Sequence, residues 1–156
     1  VSRTLIIAIG NTLRGDDGVA QRVVEELSDC DQAADIESVI QLTVELAPKL
    51  AEYETVLFVD ASVLLRPGQW VLEKLDDSTK FESCIGHHFC PQELLNLAAT
   101  LYDANPRAYM LSIGAKQFDH AESLSEEVTA QLGAVAMTIR EWLRKLSTTI
   151  DTLYKS

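Results

Sequence analysis

Two kinds of apolar pattern alternate along this chain. Residues 5–9 (Leu-Ile-Ile-Ala-Ile) and 56–59 (Val-Leu-Phe-Val) are uninterrupted apolar runs with no polar alternation, the pattern of strands covered on both faces. Between and after them, apolar residues recur every three or four positions. Val19, Val23, Val24 and Leu27 predict a helix over residues 18–28, and Val44, Leu46, Ala47 and Leu50 predict another. Pro91 suits the first turn of a helix continuing through Leu94, Leu95, Leu97, Ala98 and Leu101. A long amphipathic helix over residues 125–146 carries Val128, Leu132, Val135, Ala136, Ile139, Trp142 and Leu143. Residues 36–40 and 108–113 read as further strands, and residues 70–75, after the Arg66-Pro67-Gly68-Gln69 turn, as an edge or antiparallel strand.

Five strands alternating with helices predict an α/β fold with right-handed crossovers and a mostly parallel, two-sided sheet. One domain over residues 1–146 accounts for the whole pattern, with residues 147–156 as a frayed tail. In such folds functional loops gather beyond the carboxyl ends of the strands. Asp16 and Asp17 follow the first strand, at the start of a helix whose free N–H groups favour acids. Asp60 ends the third, and His87 and His88 precede the Pro91 helix. Three separate segments therefore bring Asp17, Asp60 and His87 to one edge.

Composition narrows the partners. A chain of 156 residues, 47% hydrophobic, has material for one core, and the net charge of −11 disfavours nucleic acid and anionic membrane. The partner expected is a protein or a cation. The apolar start is too short for a membrane span and lacks a signal-type cleavage region, so a cytoplasmic location is expected. Three cysteines, Cys30, Cys84 and Cys90, with no CxxC spacing, fit buried thiols in a reducing compartment better than a disulfide framework.

Two carboxylates and an imidazole form a borderline donor set suited to Zn, Ni, Co or Mn, and three protein ligands leave coordination positions open. Such a trio serves either metal-assisted hydrolysis or recognition of a metal carried by a substrate. On spacing alone the plainer readings stand beside this one: Asp16 as a cap, Asp17 as a solvated first-turn acid, Asp60 as a loop-holding acid, His87 or His88 as a surface residue. The segment from Gly10 to Gly15 fits neither glycine-rich phosphate signature, and Asp16 occupies the place of the P-loop lysine, which disfavours nucleotides. No HExxH is present. A cysteine hydrolase built on Cys84 or Cys90 beside His87 or His88 is a further reading.

Four strings in register resemble the [NiFe] hydrogenase maturation proteases: Gly10-Asn11-Thr12-Leu13-Arg14-Gly15-Asp16-Asp17-Gly18-Val19, Gln41-Leu42-Thr43-Val44-Glu45-Leu46-Ala47, Phe58-Val59-Asp60-Ala61 and Gly86-His87-His88. The similarity runs from about Leu5 to Leu146. It implies a three-layer α/β/α sandwich and an endopeptidase that removes the carboxyl-terminal extension of a [NiFe] hydrogenase large-subunit precursor after nickel insertion. It also implies a metal site of Asp17, Asp60 and His87, with His88 the neighbouring competitor. Some relatives carry glutamate where this chain has the shorter Asp17. Nickel is then substrate-borne, other divalent transition metals being able to occupy the site. Asp16 is expected to orient the loop or a water, Asn11 to support the ligands by a hydrogen bond, and the chain to act as a monomer. The alternative of a different class is a non-catalytic nickel chaperone or carrier.

Overall fold

The computed structural model describes residues 3–27, 33–76, 89–119 and 122–155, with side chains through residue 148. Strands β1 (Thr4–Ile9), β2 (Asp35–Val39), β3 (Thr55–Ser62), β4 (Trp70–Leu75) and β5 (Arg107–Gly114) form one sheet in the order β2-β1-β3-β5-β4. All neighbours run parallel except β4, which pairs antiparallel with β5 at the edge. This matches the expected sheet, including the edge position of residues 70–75.

Alternation along each strand divides the core in two. Ile6, Ala8, Leu57, Val59, Leu111 and Ile113 point to one face, where α1 (Val19–Glu26) and α5 (Leu132–Lys155) cover them. Leu5, Ile7, Ile9, Val56, Phe58 and Ala108 point to the other, under α2 (Ala47–Leu50) and α3 (Pro91–Tyr102). Helices on both faces of one sheet make the three-layer α/β/α sandwich. Fully buried side chains such as Ile7, Leu57 and Phe58 each contribute roughly 1.5–3 kcal/mol, which is why the two apolar runs become the central strands.

Three local differences from the sequence reading have physical reasons. β3 continues past Val59 because Asp60, Ala61 and Ser62 keep pairing with Ser112, Ile113 and Gly114. The long helix expected over residues 125–146 is two helices, α4 (Glu126–Thr129) and α5, separated at Ala130 and Gln131. The second of these, α5, runs on to Lys155, past residue 146 where the sequence reading ends the helix, in keeping with Leu146, Ile150 and Leu153, which extend the three-to-four spacing.

The order of strands fixes where a site can form. From β1 the chain passes outward to β2, then crosses back so that β3 and β5 build the sheet on the other side of β1. The connections thus part company between β1 and β3, leaving a crevice beyond their carboxyl ends.

Candidate functional site

That crevice is a cleft of about 720 Å³. The loop after β1 gives it Asn11, Arg14 and Asp17, the end of β3 gives it Asp60 and Ser62, and Met110 and Ser112 of β5 with Glu73 and Leu75 of β4 extend it across the sheet. Phe89 to Gln92, at the start of α3, form a further wall. Asp17 and Asp60 therefore share one cavity. His87 and His88 lie outside the described residues, as do Cys30 and Cys84.

The loop carrying Asp17 is held by backbone geometry that its glycines permit. Gly10 has φ 144, and a Cβ there would lie 1.8 Å from the Asp17 carbonyl oxygen. Gly15 has φ 57 and sits against the Gln117 carbonyl, 2.7 Å from where its Cβ would be. The loop folds tightly back on itself: the Asn11 backbone N–H donates to Asp17 Oδ2 at 2.8 Å, and Arg14 N–H to the Asn11 carbonyl at 3.0 Å. Asn11 thus supports Asp17 through its main chain, while its side-chain Oδ1 accepts from Leu13 N–H at 2.9 Å.

Asp16, next in sequence, faces the other way. It is 0% exposed and does not line the cleft. Its Oδ2 accepts from Lys116 N–H (2.7 Å), Gln117 N–H (3.0 Å) and Ser125 Oγ (2.8 Å), and its Oδ1 from Ser125 N–H (2.7 Å). Burial alone would raise its pKa, but these bonds from Ser125, Lys116 and Gln117 together bring it below the ordinary 3.8. Of the two roles considered for Asp16, this geometry serves loop orientation, since its oxygens are committed away from the cleft. Its partners lie about a hundred residues away, so no local pattern could have revealed them.

Asp60 has the opposite environment. Burial, and then the nearby Asp17 carboxylate, push its pKa up to about 7, with the Ala61 backbone N–H pulling the other way. Two carboxylates held this close in a half-buried cleft have two ways to relieve their repulsion: share a proton or take up a cation. Among the described residues no group of three His, Cys, Asp or Glu side chains stands close enough to hold a metal ion.

Cys90 corrects the sequence reading. It is disulfide-bonded, so it offers no thiolate nucleophile, and the argument from cysteine count to a reducing compartment loses its footing. An odd number of cysteines leaves one unpaired but does not stop two from meeting, and spacing along the chain does not report distance in space.

Exposed apolar side chains stand at the cleft: Ile40, Val63 and Leu64 line it, Ile40 and Val63 each 70% exposed, and Leu13 and Val44 are exposed on the segments after β1 and β2. Sequence periodicity hides such residues, because an apolar loop side chain looks the same whether it packs inward or faces a partner. No helix among the described residues is long and apolar enough to cross a membrane.

Fold and site together define a doubly wound α/β protein with an acid pair at the point where its strand connections diverge. Solved structures of this shape include a hydrogenase maturating endopeptidase HybD from E. coli (17% identity, 92% of this chain and 93% of that one, TM-score 0.72). Others are a [NiFe] hydrogenase maturation protease HybD from Thermococcus kodakarensis (25%, 90% and 99%, TM-score 0.68) and a hydrogenase 2 maturation peptidase from a Thaumarchaeota archaeon (25%, 91% and 98%, TM-score 0.66). The chain has the fold of the hydrogenase maturation proteases, over nearly the full length of both. No family model matches the chain, and no curated protein matches it.

Proposed function

We propose that this chain is a hydrogenase maturation endopeptidase, which removes the carboxyl-terminal extension of a [NiFe] hydrogenase large-subunit precursor once nickel has been inserted. The observation that carries this reading is the pairing of Asp17 and Asp60 in one cleft at the strand switch point, within a fold shared with proteases of that name. The mutual repulsion of the two acids gives the cleft an affinity for a cation. Nickel held by the precursor supplies it, with His87 as third protein donor and His88 as its neighbour in the same segment.

This arrangement couples cleavage to metal loading, because an empty precursor loses the ligand bonds. One such bond worth about 3 kcal/mol favours the loaded precursor more than a hundredfold. The exposed apolar side chains Ile40, Val63 and Leu64 of the cleft, with Leu13 and Val44 on the segments after β1 and β2, suit a folded protein substrate better than a small molecule. Nickel is cargo here, the other divalent transition metals being substitutes, and the chain acts as a monomer.

Incubation of the chain with large-subunit precursor, with and without nickel, and intact-mass readout tests the reading. Shortening only of the loaded precursor is expected, lost in Asp60→Asn and in His87→Ala. Full activity in both variants removes the site. Tight stoichiometric nickel retention with no shortening would make the chain a carrier.

A further inference from the structure

The cleft does not end at the acid pair. Strand pairing sets Asp60 beside Ser112 of β5, and Met110, two residues earlier on the same face of β5, beside Glu73 of β4. Asp60, Ser112, Met110, Glu73 and Leu75 all line the cavity, so its floor runs from β3 across β5 to the edge strand. Glu73 is exposed, and it forms no ion pair among the described residues. Among the described residues, the charged side chains lining the cavity are Asp17, Asp60 and Glu73 against the single cation Arg14.

From these observations we infer that the floor between Asp60 and Glu73 is a subsite for the extended carboxyl-terminal segment of the precursor, in which Glu73 selects a Lys or Arg. The inference rests on the protease reading. A groove over a sheet takes an extended chain, and in a precursor whose metal sits in a folded body the segment free to extend is the one to be released. Two strand spacings and one two-residue step separate Asp60 from Glu73 by about 12 Å, which three or four extended residues span. A basic side chain at that distance beyond the cleaved bond meets Glu73. The surplus of acids over cations makes the opposite charge in the peptide unfavourable.

The test uses a nickel-loaded large-subunit precursor that the wild-type chain shortens, its extension rebuilt from Ala and Ser with a single Lys walked through positions one to six. Cleavage efficiency should peak about fivefold above the neutral extension when Lys occupies position three or four. Glu73→Gln should flatten that profile, and Glu73→Lys should move the preference to a Glu at the same position. A flat wild-type profile, or one that Glu73→Lys leaves unchanged, overturns the inference. Should the wild-type chain shorten no precursor, the protease reading fails by itself. The groove is then judged by fluorescence anisotropy of labelled Ala/Ser peptides carrying one Lys or one Glu: tighter binding of the Lys peptide to wild type and of the Glu peptide to Glu73→Lys supports it, and equal binding overturns it.

Discussion

The pocket around Asp16 and the cleft around Asp60 give the same side chain opposite fates. Asp16 is wholly buried yet collects hydrogen bonds on both oxygens, and its charge is stabilised. Asp60 has only the Ala61 N–H to set against its burial and the neighbouring Asp17 carboxylate, and its charge is penalised. Burial penalises both charges, and the supply of donors decides which acid keeps its proton. The satisfied acid holds the scaffold, and the frustrated one is left to a ligand.

The largest expected separation between the two regions is in activity. Asp60→Asn should lower cleavage of loaded precursor by about a thousandfold or more, roughly 4 kcal/mol of lost transition-state stabilisation, while circular dichroism shows an intact fold. Asp16→Ala should act on stability instead. It strands the N–H groups of Lys116, Gln117 and Ser125, and urea denaturation should show a loss of about 3 kcal/mol.

The pH dependence carries the same contrast with opposite signs. Between about 3.8 and about 7 native Asp60 keeps a proton that the unfolded chain has released, so its contribution to stability falls as pH rises and is fully lost above that window. Asp60→Asn should therefore be more stable than wild type at pH 8, by up to about 4 kcal/mol, and equal to it near pH 4. For Asp16 the lowered pKa gives stability that is present above 3.8 and lost as acid titrates the folded carboxylate. Melting temperatures of wild type and Asp60→Asn across pH 3–8 would read both effects; parallel curves would refute the contrast.

The smallest effect expected is that of Asn11→Ala. Its side chain serves only the turn at Leu13, whereas the bond to Asp17 comes from the backbone, which the substitution preserves. A stability loss below about 1 kcal/mol with cleavage retained is the expected result in the same two assays. Loss of cleavage would mean that the amide itself reaches the substrate.

Much of this was legible along the chain. The uninterrupted runs at β1 and β3 announce strands covered on both faces, and the Pro91 start of α3 appears where its fixed φ fits. The candidate acids could be placed at one sheet edge because parallel topology sends every strand end there. What could not be read depends on contacts distant in sequence. Strand order, the partners of Asp16, the bonding of Cys90 and the neighbourhood of Glu73 are settled by pairing across tens to a hundred residues, which no local spacing encodes. The continuation of α5 past Leu146 was missed because its polar residues resemble those of a loose end, although the apolar spacing persists.

The bonds from residues 116–125 to Asp16 have a consequence for how the molecule comes into being. A chain emerging from the ribosome completes β1 early, but the loop after it finds its anchor only when β5 and the segment leading to α4 have been synthesised. Until then Asp16 lacks the partners that anchor this loop to the rest of the fold. The oldest part of the site is thus the last to set, and an unfinished copy is unarmed.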